Sequence, residues 1–488
     1  LRGVSDRSFA ADSAGVAPDF QKLRKFTVVA GIGAAVFFIV AGLAFAFQLY
    51  GDSALFSYAV AVQDSWAFHW HNISNRSTVY LYAHLPAEIY GSLTGNAWAA
   101  IQIYAFLFFG AQFFGLALTY WLDRTRGRSI FVFACLSNAV LCPLVFGAPS
   151  EMWVAHAFFW PALAAAHCST RRWNWLAAFV TFLPLAFTHE GALIFLAAIL
   201  GSVLVRKNEF PRFPQCLGAA LAVLAVWIFV RYSLRPDEYT ARVLSAAASN
   251  VFNPEILLDR ILVLLAAMAG GYLLLFLALR RAGVSHAAGA AFVAALAALS
   301  AYWFLGNHEI HTENRYYLRT VIIILCPLIA AGSICAAFGS ELVRPAGMFC
   351  KILHTVARRI GAGALAALLL LTIAIHAVET ARFAAGWTEY LAIFRGMVSK
   401  AETPERKYVE IDPDNPKFHD MPWFSTLPYL SVLVAPGFKP HRLVIDPKSD
   451  YFWVSCANLT ASVRKGNGLS IPAQSRQMIR DYNCRNRP

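Results

Sequence analysis

The stretch Gly306-Asn307-His308-Glu309-Ile310-His311-Thr312-Glu313-Asn314-Arg315-Tyr316-Tyr317-Leu318-Arg319 packs histidines, glutamates and arginines between two long apolar runs, near 287–305 and 317–338. An ionisable side chain at the centre of a bilayer costs about 2.5–3.5 kcal/mol. Such a cluster therefore belongs at a membrane edge or in a wet cavity, where polar groups are commonly functional. An ordinary hydrophilic loop between two crossings would also account for it. Either reading makes the flanking runs membrane spans.

Composition supports that reading across the chain. Of 488 residues, 58% are hydrophobic and only 14% charged. These values exclude a soluble globular protein and fit a polytopic α-helical membrane protein. The formal net charge of +13 would suggest a nucleic-acid partner in a soluble chain. Here it is expected to reflect Lys and Arg gathered in cytoplasmic loops, with membrane lipids as the partner and no nucleic acid.

Working outward, a leader over 1–25 ends in Lys22, Arg24 and Lys25, just before an apolar run from Phe26 to Phe47. No cleavable signal peptide is evident, because that run is too long and follows a polar leader. A polar and aromatic first loop over 49–96 precedes apolar runs near 97–122, 129–147, 152–168, 173–188, 191–205, 216–234, 256–279, 287–305, 317–338 and 360–378. About eleven transmembrane helices are expected.

Alternate loops carry Arg124/Arg126/Arg128, Arg171/Arg172, Arg206/Lys207/Arg212, Arg280/Arg281 and Arg344/Lys351/Arg358/Arg359. The loops between them carry Asp52/Asp64/Glu88, Glu151, His189/Glu190, Asp237/Glu238 and the 308–319 cluster. The positive-inside rule then predicts a cytoplasmic N-terminus and a tail, 379–488, outside the membrane. A bacterial inner (plasma) membrane is the expected location.

The tail is Pro-rich and polar. Short β-like runs at Tyr408–Ile411, Tyr429–Val434, Arg442–Ile445 and Tyr451–Ser455 are separated by Asp-Pro, Asn-Pro and Pro-Gly turn signals. A small extracytoplasmic α/β domain is expected there. Cys456 and Cys484 could be bridged on an oxidising side or remain free thiols.

Four constellations could carry chemistry. Asp52, in Tyr50-Gly51-Asp52-Ser53, stands at the outer end of the first span, where a carboxylate can act as a general base. Asp-Ser before Leu55, Tyr58, Ala59 and Val62 is equally a helix N-cap signal. His69, His71, His84 and Glu88 suggest zinc, but the i, i+2 spacing and the absence of cysteine favour an amphipathic segment along the interface. His189 and Glu190 sit at a sharp turn between two spans, either as a site or as a plain re-entry turn. Arg231 and Arg235 close a span on the same side, and either snorkel or hold a lipid phosphate.

A long first outer loop opening with an acidic residue, many spans and an extracytoplasmic tail together resemble the GT-C superfamily of integral-membrane glycosyltransferases. Within residues 26–378, His311-Thr312-Glu313-Asn314-Arg315-Tyr316-Tyr317-Leu318 looks like the His-x-Glu-x-Arg-aromatic motif of mannosyltransferases that use dolichyl-phosphate mannose. Asp52 occupies the place of the family's first-loop acid, although Ser53 stands where a second acidic residue is often found.

The resemblance implies transfer of a sugar from a polyprenyl-phosphate donor to a lipid or glycan acceptor on the outer face, without metal or other cofactor. Asp52 would be the catalytic base. Arg315, with Arg319 or Arg231, would hold the donor phosphate. His189, Glu190, His308, His311, Glu313 and Tyr316 would orient the sugar or those arginines. Two other readings stay open: a glycan polymerase or ligase using polyprenyl-diphosphate-linked donors, and a transporter or flippase. The latter would call for inverted repeats and midplane charges, which the sequence lacks.

Overall fold

The computed structural model describes residues 18–70, 76–141, 151–207, 212–233, 260–305, 316–399, 407–411, 426–446, 456, 459–460 and 471–485. Each of the expected apolar runs contains a helix. These helices are α1 (Pro18–Ala44), α5 (Ala97–Leu122), α6 (Ser129–Leu141), α7 (Glu151–Cys168), α8 (Asn174–Ala186), α9 (Ala192–Leu204), α10 (Phe213–Ser233), α11 (Arg260–Arg281), α12 (Ala287–Leu305), α13 (Tyr316–Phe338) and α15 (Ala362–Ser399). The first loop supplies α2 (Asp52–Ala61), α3 (Ser65–Trp70) and α4 (Leu85–Thr94), and α14 (Arg344–Ile360) lies between α13 and α15.

Among the described residues, seven helices, α1, α5, α10, α11, α12, α13 and α15, are long and apolar enough to cross a membrane. The protein is thus a polytopic helical membrane protein in outline. At 1.5 Å per residue, the 13-residue helices α8 and α9 reach only about 20 Å. α7 carries Glu151, His156 and His167 and is buried along almost its whole length. It is an axial strut enclosed by other helices rather than a lipid-facing span.

Packing around that strut follows membrane rules, with small residues allowing close approach. A Cβ on Gly115 of α5 would stand 2.5 Å from the Ala157 carbonyl oxygen of α7. Polar groups inside the bundle pair with one another. The Gln112 amide donates to the Trp153 carbonyl at 2.7 Å, leaving its oxygen 3.0 Å from His156 Nδ1, while His156 Nε2 is 2.8 Å from the Ser137 hydroxyl. This order requires the proton on Nδ1 and leaves Nε2 to accept from Ser137. Phe38 of α1 meets Phe109 and Trp153 edge-on, both at 5.5 Å.

Contacts between connecting segments sort into two ends. At the basic end, Arg206 bonds Glu341 and His167, Arg212 bonds the His167 carbonyl, and Arg280 bonds the Arg359 carbonyl. At the opposite end, Arg76 meets Glu151 and Glu190, and the Thr78 amide donates to the Phe187 carbonyl. Helices that alternate in direction bring their connections together in this way.

Three expectations change. The boundary at 378/379 falls inside one continuous helix, α15. Beyond it Thr380, Phe383, Ala384, Trp387, Tyr390, Leu391, Phe394 and Val398 recur at helical spacing and are buried, so a rise in polarity does not end the helix.

Tyr429–Val434, expected as strand, lies in helix α16 (Leu427–Val434). Pro428 stands in its first turn and Leu427 through Leu433 are all buried. A short apolar run enclosed on all sides shows no periodicity by which strand and helix differ. Finally, α14 is a helix where the sequence suggested only a charged loop.

The expected strands at Tyr408–Ile411 and Arg442–Ile445 contain β1 (Tyr408–Glu410) and β2 (Leu443–Ile445), paired in parallel with Val409 opposite Val444. Tyr451–Ser455 lies outside the described residues. α17 (Ala473–Arg485) carries Cys484, which is bonded to Cys456. The tail is not set apart from the helical part. α16 packs on α2, with Tyr429 5.2 Å from Tyr58, and Arg442 donates to the Met397 carbonyl of α15 at 2.7 Å.

Candidate functional site

The chain leaves α1 through a tight turn in which Gly51 adopts φ +59°, a region that favours glycine. Gly51 therefore occupies the N-cap position, and Asp52 is the first residue of α2. The N-cap position that the sequence assigns to Asp52 thus belongs to Gly51. The Asp52 carboxylate stands at a helix N-terminus, where the peptide dipoles favour negative charge.

The turn is clamped on two sides. The Tyr50 ring meets Phe383 and Trp387 of α15 edge-on at 5.3 and 5.2 Å. Ser57 donates to the Gln48 carbonyl at 2.9 Å, and the Ser53 hydroxyl is 3.3 Å from the Tyr104 hydroxyl of α5. Tyr104 thus ties the residue after Asp52 to α5, and α7, packed on α5, begins with a second polar cluster.

That cluster consists of Arg76, Glu151, His189 and Glu190. Arg76 Nη1 is 2.9 Å from Glu151 Oε2 and Nη2 is 3.0 Å from Glu190 Oε2, with all three side chains almost wholly buried. Burial alone would push the Glu190 carboxyl up, but the Arg76 guanidinium overrides it and the value is lowered to about 2.

The Gly191 amide donates to His189 Nδ1 at 3.0 Å, so a neutral His189 carries its proton on Nε2. The 3.6 Å approach of Nδ1 to Glu190 is too long for a hydrogen bond. With Arg76 given to two carboxylates, this cluster is built to fix two loops and point polar groups. A phosphate would meet an excess of negative charge here.

The His189-Glu190-Gly191 turn also touches α13. A Cβ at Gly191 would come 2.8 Å from Ile323 Cδ1 and 3.1 Å from Met152 Sδ. Arg319 lies one helical turn before Ile323 and Tyr316 about two. The backbone carrying these two residues thus starts beside the turn.

His308, His311, Glu313 and Arg315 lie outside the described residues, as does Arg235, and the side chains of Tyr316 and Arg319 share that status. Arg231 sits near the C-terminal end of α10, its guanidinium 5.6 Å from the Trp227 and Tyr232 rings. Its contacts do not bring it to the Arg76 cluster.

The rest of the first loop reads as interfacial. Trp66, Leu81, Ile89 and Leu93 are exposed, as an amphipathic segment at headgroup depth requires. Glu88 accepts from the Ser65 amide at 2.6 Å and its hydroxyl at 2.5 Å, closing the N-terminus of α3. Burial raises its carboxyl above the ordinary range against the pull of those bonds. His84 is buried between Phe56 and Tyr104, with ring centroids 5.2 and 4.9 Å away. Among the described residues no group of three or more His, Cys, Asp or Glu could hold a metal ion.

From sequence, Glu151 reads only as a loop charge and Arg76 as one polar residue of the first loop. No protein-family profile, curated protein or solved structure matches the chain.

Proposed function

We propose that the protein is a glycosyltransferase that moves a sugar from a polyprenyl-phosphate donor to a lipid or glycan acceptor. On this reading the chain crosses a bacterial inner membrane about eleven times, with its basic end in the cytoplasm. The site then faces the extracytoplasmic side, roofed by the tail.

The Asp52 carboxylate takes the proton from the acceptor hydroxyl as that oxygen bonds to the sugar's C1. The bond from C1 to the phosphate oxygen breaks, and the lipid phosphate leaves with the electron pair. Arg315, with Arg319 or Arg231, holds the charge that collects on it. His189, Glu190, His308, His311, Glu313 and Tyr316 orient the sugar or those cations. The chemistry asks for no metal, because a phosphate is already a competent leaving group.

The observation that carries the reading is the gathering of polar groups on packed elements at one end of the bundle. Ser53, next to Asp52 in the chain, is 3.3 Å from the Tyr104 hydroxyl of α5, α5 packs on α7, and Glu151 at the start of α7 shares Arg76 with Glu190. The Glu190 turn meets the helix that begins at Tyr316. Residues from opposite ends of the sequence thus border one region.

The experiment incubates purified protein with radiolabelled polyprenyl-monophosphate sugars and membrane lipid extract, and follows label into a new lipid or glycan. Transfer from a monophosphate donor supports the reading. Transfer only from a diphosphate-linked oligosaccharide replaces it with a polymerase or ligase.

A further inference from the structure

α14 presents three different faces at the basic end. Along its 17 residues, about 25 Å, only Cys350 is buried, with Ala346 and Ala357 half-buried on the same side. That narrow edge rests on the bundle, where Cys350 is disulfide-bonded to Cys335 of α13. At 100° per residue, Met348, Phe349, Ile352, Leu353 and Val356 form a second face, and all five are exposed. Arg344, Lys351, Thr355 and Arg358 form the third, also exposed, with Arg359 at its border.

The position of α14 says what covers the apolar face. α13 before it and α15 after it are each long and apolar enough to cross a membrane, so α14 runs at the membrane surface. Gly361, at φ +92°, makes the sharp turn that takes the chain from this helix into α15. An amphipathic helix held there sinks its apolar face to the boundary between headgroups and acyl chains.

Charge selects the lipid. No Asp or Glu occurs between Glu341 and Glu379, and Glu341 is held by Arg206 at 2.6 Å. The cations of α14 therefore have no carboxylate in their own segment, and Arg280, bonded to the Arg359 carbonyl, adds another beside them.

We infer that α14 is an in-plane docking helix for anionic phospholipids, its Met348–Val356 face in the acyl boundary and its Arg344, Lys351, Arg358 and Arg359 side chains on headgroup phosphates. The inference is independent of the glycosyl-transfer reading. It makes this end of the protein responsive to the anionic lipid content of its membrane.

The test reconstitutes the full-length protein in nanodiscs of phosphatidylcholine alone or of equal parts phosphatidylcholine and phosphatidylglycerol. Amide hydrogen exchange is followed over residues 344–360, with α5 as the internal reference. Exchange is expected to slow several-fold when phosphatidylglycerol is present, and high salt should reverse the difference. Lys351→Gln/Arg358→Gln/Arg359→Gln should abolish the lipid dependence while leaving α5 unchanged. Each lost cation weakens headgroup binding by about fivefold, the ~1 kcal/mol that a cation is worth at an anionic surface.

The salt titration of the unaltered protein reads the same interaction without substitution. Equal exchange in the two lipid compositions overturns the inference. So does protection that depends on two chains sharing a disc, which would assign the face to a second copy.

Discussion

Arg76 Nη2 and Glu190 Oε2 meet at 3.0 Å across 114 residues of chain, in a place solvent does not reach. The contact joins the first loop to the α8–α9 turn. The other arm of the guanidinium, 2.9 Å from Glu151, adds the start of α7. One side chain therefore fixes three connections at the end of the bundle where Asp52 stands.

Removing Arg76 leaves two buried carboxylates without that partner. Arg76→Gln is expected to cost about 3–5 kcal/mol of stability, the usual penalty for breaking a buried ion pair. Arg76→Lys should cost less but not nothing, because an ammonium cannot offer the two-armed fork. Thermal unfolding in detergent, monitored for both variants beside the unaltered protein, checks this.

Acid should loosen the same junction. Glu190 is lowered to about 2 from an ordinary 4.5. The stability it contributes is therefore complete above 4.5 and is lost as pH falls from there toward 2. Melting temperatures measured from neutral to acid pH should decline below that value. The decline should be shallower in Glu190→Gln, which has no proton to take up at this site.

Gly191 is the contact point between the turn and α13. Gly191→Ala puts a methyl against Ile323 Cδ1 and Met152 Sδ, an overpacking expected to cost about 1–3 kcal/mol. Ile323→Val deletes the carbon in conflict, so the double variant should recover part of the loss. A double-mutant cycle on unfolding measures the coupling.

The two cysteine pairs test orientation. The structure bridges both pairs, but the proposed topology puts Cys335 and Cys350 on the cytoplasmic side, where the cell reduces such a bond, and Cys456 and Cys484 on the oxidising side. In cells, maleimide mass-tagging under non-reducing conditions should label Cys335 and Cys350 and leave the tail pair untouched. Cys456→Ser should then destabilise the tail by about 2–4 kcal/mol, read as faster proteolysis beyond α15.

The helices were legible because a bilayer leaves a strong imprint. Long apolar runs interrupted by Arg-rich loops mark α5 and α10 through α13 with good boundaries, whereas α1 begins at Pro18, inside the expected leader. Their ends were less legible, since α15 runs on after Glu379 using buried aromatic residues instead of lipid contact. Tyr429–Val434 misled because full burial erases the alternation that marks a strand. α14 was hidden by its charges, which drew attention to topology and away from the apolar residues at helical spacing between them.

At the site, Asp52, His189 and Glu190 were readable as polar residues at a costly depth. Arg76 and Glu151 were not readable as partners. Their pairing depends on which outer loops fold against one another, and local sequence carries no trace of that.

The central claim is that Asp52 accepts the acceptor's proton in a transfer from a lipid-phosphate sugar. The most direct measurement compares unaltered protein with Asp52→Asn in the radiolabelled-donor reaction, with matched thermal unfolding to show that both are folded. The account predicts a loss of about 10²–10⁴-fold in transfer rate, the range for removing a general base, with stability unchanged. Undiminished transfer by folded Asp52→Asn protein would contradict it.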